Sequence, residues 1–135
     1  MRFPPYADGD EIREGQIYRR ILPDAGHFVE GKPTFAVFRP RWIDRGKLSA
    51  LLKGYVSVDD AATKHRAREA HNFGLCEIDI SRARQATSDL FRVFYSPTGG
   101  PLGHAHVVAQ GCNLEEVQSM LAELAEVALP PKLKD

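Results

Sequence analysis

The sequence predicts a single α+β domain: about six strands in a mainly antiparallel sheet, two or three helices, and a C-terminal amphipathic helix packed on the sheet. Three observations carry this expectation. Residues 74–80 alternate, with Cys76, Ile78 and Ile80 on one side and Glu77 and Asp79 on the other, the period-2 signature of a half-buried strand. Two further runs, 90–95 and 104–110, are joined by a loop short for a parallel crossover, which suggests a wide hairpin. Lastly, Leu114, Val117, Met120, Leu121, Leu124 and Val127 recur at helical spacing. A chain of 135 residues is of one-domain size and long enough to bury a core. Residues 15–135 are read as that domain and residues 1–14 as a flexible N-terminal arm.

The arm is polar and carries Pro4, Pro5 and Gly9. Residues 16–22 then read as a strand, with Ile17, Arg19 and Ile21 on one face and Tyr18, Arg20 and Leu22 on the other. A turn at 23–26 and a break at 31–33 follow, and residues 34–39 read as a short apolar strand stopped by Pro40. Asp44 is placed to cap a helix over 45–53, with Leu48, Leu51 and Leu52 along one side and Gly54 as its stop. Residues 55–58 look like a brief strand. Ser57 and Asp60 have capping-box spacing and open a helix over 58–71 that buries only alanines, so it lies on the surface. A short helical turn follows Ser81. Asn113 and Glu116 set the start of the last helix, which Pro130 and Pro131 end.

Charge excludes one class of function. Eighteen basic and eighteen acidic side chains cancel, whereas a dedicated non-specific nucleic-acid binder is basic overall. The charge is nevertheless uneven. Residues 39–71 hold 8 basic against 4 acidic side chains, including Arg39 and Arg41 beside Trp42 and Lys64 and Arg68 on one stripe of the expected 58–71 helix, so a local anion or nucleic-acid contact is open there, beside the plainer reading of a solvated face. Cys76 and Cys112 have no motif spacing, which excludes a dense disulfide framework and a four-thiolate zinc site. No run approaches the roughly 20 apolar residues that span a bilayer, and no secretory h-region follows Met1. A cytoplasmic protein with no membrane partner is expected.

The chemistry concentrates around His104 and His106, which strand alternation puts on one face while Ala105, Val107 and Ala109 take the other. They lie about 6.5–7 Å apart along the strand. Two imidazoles leave a tetrahedral metal site half empty. A third ligand has to come from His27, Glu77, Asp79 or Cys112, and no bound metal is expected. Gly99, Gly100 and Gly103 precede a strand rather than a helix and lack a Lys-Ser/Thr ending, so they supply turn conformations or close approach to a ligand rather than a nucleotide loop. Neither cysteine sits in a nucleophile motif and no Gly-x-Ser-x-Gly is present, so a serine or cysteine nucleophile is not expected.

Tyr18-Arg19-Arg20 on the first strand, Tyr55-Val56-Ser57-Val58 before an alanine-containing helix, and the strand at 75–80 together resemble the layout of ADP-ribosyltransferase-type domains over residues 16–80. The resemblance implies NAD as cofactor, Arg19 or Arg20 on its phosphates, and Ser57 orienting the nicotinamide half. The family's later glutamate has no counterpart: the late strand carries His104 and His106 instead. The leading expectation from sequence is a small interaction or regulatory domain, with no cofactor, whose partner is another protein or a small anionic ligand. The alternatives are a nucleotide- or nucleic-acid-directed enzyme using Arg19 or Arg20, Ser57 and His104 or His106, and a metal-dependent enzyme with the two histidines as ligands.

Overall fold

The computed structural model describes residues 4–22, 26–38, 48–56, 73–97, 103–109 and 114–132. Within them, β1 (Glu11–Ile12), β2 (Gln16–Ile21), β5 (Leu48–Leu52), β6 (Gly74–Asp79), β7 (Phe91–Tyr95), β8 (His104–Ala109) and β9 (Glu126–Leu129) form one antiparallel sheet in the order β1-β7-β8-β5-β2-β6-β9. A small hairpin, β3 (Phe28–Val29) and β4 (Lys32–Pro33), stands apart. Glu30 and Gly31 turn it, with φ of 52° and 79°, the paired left-handed conformation that matches strand twist. Among the described residues, two α-helices, α1 (Ile80–Ala86) and α2 (Leu114–Leu124), join the sheet in a single-domain α+β layout. The expected fold class is the observed one.

One face of the sheet carries the core. Ile12, Ile17, Ile21, Leu48, Ala50, Leu52, Ile78, Phe91, Val93, Ala105 and Val107 form one buried cluster with Ile80 and Ala83 of α1 and Val117 and Leu121 of α2. Asp79 ends β6 and caps α1, its Oδ1 accepting from the Arg82 N–H at 3.0 Å. Thr87 closes the same helix: its hydroxyl donates to the Ala83 carbonyl and accepts from the Phe91 N–H, so a buried polar side chain is satisfied on both counts.

Several elements differ from expectation, each for a physical reason. Residues 48–52, expected in a helix, are the strand β5. Leu48, Ala50 and Leu52 bury on the core face and Leu51 on the other, and an apolar run buried on both sides has no period to separate strand from helix. Residues 35–38, expected as strand, form a 3-10 turn that buries Val37 and Phe38 and begins at Thr34, whose hydroxyl accepts from the Ala36 N–H. Tyr55 stands in a turn after Gly54, and Val56 makes only an isolated bridge with Lys53. The last helix stops at Leu124, and residues 126–129 add β9 to the sheet edge, because Val127 fits a strand alternation with Leu129 as well as it fits the helical stripe. On α2 itself Met120 is turned outward and Gln118 inward. Glu11 and Ile12, within the stretch read as an arm, pair with β7. The expected helix over 58–71 lies outside the described residues.

Candidate functional site

The sheet face opposite the core is built from residues that alternate with the core set. Cross-strand partners share a face, so register decides which side chains meet there. His104 stands opposite Leu51, which stands opposite Tyr18. His106 stands opposite Ser49 on one side and Phe94 on the other, and Phe94 opposite Glu11. Arg20 follows Tyr18 by alternation and pairs with Leu75. Tyr18, Leu51 and Leu75 bury one another with help from Val56 and Leu129, forming a small apolar cluster beside the polar strip.

Within that strip one side chain is fixed at both ends. His104 Nδ1 lies 2.6 Å from the Ser96 carbonyl oxygen, and a carbonyl only accepts, so Nδ1 carries the proton. In the neutral ring Nε2 is then the acceptor, and it lies 3.2 Å from the Ser49 hydroxyl. The Ser96 N–H donates in turn to the His104 carbonyl at 3.1 Å, so the base of the β7–β8 loop is tied by backbone and imidazole together. The His106 ring meets His104 edge to face, with centroids 4.9 Å apart. Both histidines and Ser49 are half-buried.

The two adjacent arginines go to opposite faces. Arg19 shares the core face with Ile17 and Ile21. Its Nε donates to the Val37 carbonyl at 2.9 Å and its Nη1 to the Ser49 carbonyl at 2.6 Å. The β2–β5 ladder covers only Ile17↔Leu52 and Tyr18↔Leu51, and the Arg19 guanidinium serves the Ser49 carbonyl just beyond it. Arg20 lies on the histidine face, where burial pulls its pKa down. A guanidinium stays charged in such a setting and interacts more strongly with an anion than it does in open water.

Gly103, immediately before His104, is buried. Its role is close packing: a Cβ there would sit 2.5 Å from Val56 Cγ2. Among the described residues no group of three or more His, Cys, Asp or Glu is placed to hold a metal ion. The nearest acid on the row of His106 is Glu11, with Phe94 between them; Glu11 faces Arg92 at 3.8 Å. A shallow depression lined by Gln16, Glu77, Asp79, Arg82, Leu124 and Glu126 contains neither histidine. Arg39, Arg41, Trp42, Ser57, Lys64, Arg68, Gly99, Gly100 and Cys112 lie outside the described residues.

The structure thus brings His104, His106 and Arg20 to one face and turns Arg19 away. It adds Ser49, which sequence reasoning missed. The available signal was a lone polar residue inside an apolar run, and it had meaning only once that run was known to be a strand. Comparison with protein-family models, with curated proteins and with solved structures finds no match. Among the described residues no helix is long and apolar enough to cross a membrane.

Proposed function

We propose that the chain is a small enzyme acting on a phosphate-bearing, nucleotide-like substrate, with Arg20 holding the anion and His104 and His106 as acid and base groups. The observation that carries this reading is the shared face: two imidazoles in edge contact, a serine hydroxyl and a partly buried guanidinium on neighbouring strands of one sheet. Imidazoles are suited to proton transfer near neutral pH, and a guanidinium to phosphate oxygens. Of the two arginines weighed for an NAD phosphate, Arg20 is the one that shares the histidine face, whereas Arg19 is turned to the core side, where it serves two main-chain carbonyls. A contiguous exposed apolar patch would favour an interaction module instead. Among the described residues the large exposed hydrophobics are Val29 at 49% and Met120 at 37%, on separate elements. We place the activity in the cytoplasm, in keeping with the free thiol of Cys76.

Calorimetric titration at low salt with ADP, NAD and pyrophosphate tests the reading. Binding of at least one is expected, weakened about tenfold or more in Arg20→Met, which corresponds to ~1.4 kcal/mol. No binding of any of the three, or equal binding in Arg20→Met, would overturn it.

A further inference from the structure

We infer that Ser49 is a nucleophile, activated by His104 as general base, with the Ser96 carbonyl as the group that orients the imidazole. The geometry has the three parts such a device requires. The hydroxyl and the base nitrogen are 3.2 Å apart, the other ring nitrogen is 2.6 Å from an acceptor that admits only one tautomer, and that tautomer leaves Nε2 free to take a proton. A main-chain carbonyl here does the orienting that a carboxylate does elsewhere. Two supports hold the serine in place. β5 is paired with β8 through Leu48↔Val107, Ser49↔His106, Ala50↔Ala105 and Leu51↔His104, and the Arg19 guanidinium holds the Ser49 carbonyl from the opposite side of the sheet. Both reacting side chains are half-buried, so they are shielded from bulk water yet reachable.

The reaction rests on the proposed phosphate-bearing substrate for its electrophile, a phosphodiester or pyrophosphate phosphorus. In the first half Ser49 Oγ forms a bond to phosphorus as its proton passes to His104 Nε2. The bond from phosphorus to the leaving oxygen breaks, and that oxygen takes the proton from the imidazolium. In the second half a water attacks the phosphorylated serine and gives its proton to His104. The phosphorus–Oγ bond breaks, and Ser49 recovers the proton. No oxidant, reductant or metal enters the balance.

The reactivity of Ser49 is measurable without knowing the substrate. An alkyl fluorophosphonate transfers its phosphonyl group to an activated serine with loss of fluoride, and intact-mass and peptide mapping locate the adduct. One equivalent at Ser49 is expected on the wild-type chain, with none in Ser49→Ala and at least tenfold slower labelling in His104→Gln. Ser49→Cys gives a second readout: its alkylation by iodoacetamide is expected to slow about tenfold when His104 is replaced by Gln, because an imidazole partner raises the thiolate fraction. Absence of an adduct on folded wild-type protein, an adduct at another residue, or equal rates in His104→Gln would overturn the assignment. ADP titration of the wild-type chain separates the two proposals: an adduct at Ser49 with no ADP binding would overturn the substrate reading alone, and ADP binding with no adduct would overturn the nucleophile alone.

Discussion

Replacing Gly103 with alanine probes the joint between the β7–β8 loop and the strand that carries both histidines. The added Cβ would lie 2.5 Å from Val56 Cγ2, whereas its next neighbours, Tyr55 Cβ and the Leu52 nitrogen, are at an ordinary 3.6 and 3.7 Å. Carbon atoms pack at about 3.5–4.0 Å, so roughly 1 Å of overlap has to be relieved at a single contact. Neither side yields easily. Val56 is β-branched and stiff about χ1, and Gly103 is held by its carbonyl, which accepts from the Leu52 N–H at 2.7 Å. Overpacking of this kind costs about 1–3 kcal/mol. Val56→Ala removes the clashing methyl, and its own cost is about 1 kcal/mol because the two lost methyl groups are half-buried. Urea unfolding of the wild type, both single variants and the double variant closes the cycle. The double variant is expected to be more stable than the two single costs imply by about 1 kcal/mol or more, with unchanged m-values. Costs that add to within about 0.5 kcal/mol, or a Gly103→Ala variant as stable as wild type, would refute the packing argument.

Two other consequences follow from the core. Leu121 on α2 is 1% exposed and belongs to the main cluster, so Leu121→Ala is expected to lower stability by about 2–5 kcal/mol; an unchanged urea midpoint would show that α2 is peripheral to the fold. Cys76 is buried, and burial pushes its thiol from 9.0 up to about 12, with the nearby Arg19 charge opposing. Between those values the unfolded chain loses the proton that the folded chain keeps. Stability therefore falls as pH rises from 9.0 toward about 12, by at most ~1.4 kcal/mol per pH unit from this group. Cys76→Ala is expected to flatten that decline, and parallel stability–pH curves for the two proteins would contradict it.

The elements legible in the sequence are those whose period is distinct from its alternatives. The β7–β8 hairpin is legible in two strand-like runs joined by a loop short for a parallel crossover, and the shared face of His104 and His106 follows from i, i+2 geometry alone. The same alternation put Arg19 with Ile17 and Ile21, and burial of those isoleucines makes that face the core. β5 and β9 were illegible for opposite reasons: one is apolar on both faces, and the other satisfies two periods over four residues. Ser49 lies 55 positions from His104, and they meet only because β5 pairs with β8 in one particular register. Such a register is set by tertiary pairing, so no local pattern encodes it.

The imidazole resonances of uniformly ¹⁵N-labelled protein, read before and after addition of ADP, test the site most directly. The neutral His104 ring is expected as the Nδ1–H tautomer, because Ser96 presents only a carbonyl at 2.6 Å, and the His104 and His106 signals are expected to move on ADP addition while His27 stays in place. An Nε2–H tautomer at His104, or histidine signals that ADP leaves unmoved, would contradict the assignment of this face as the functional site.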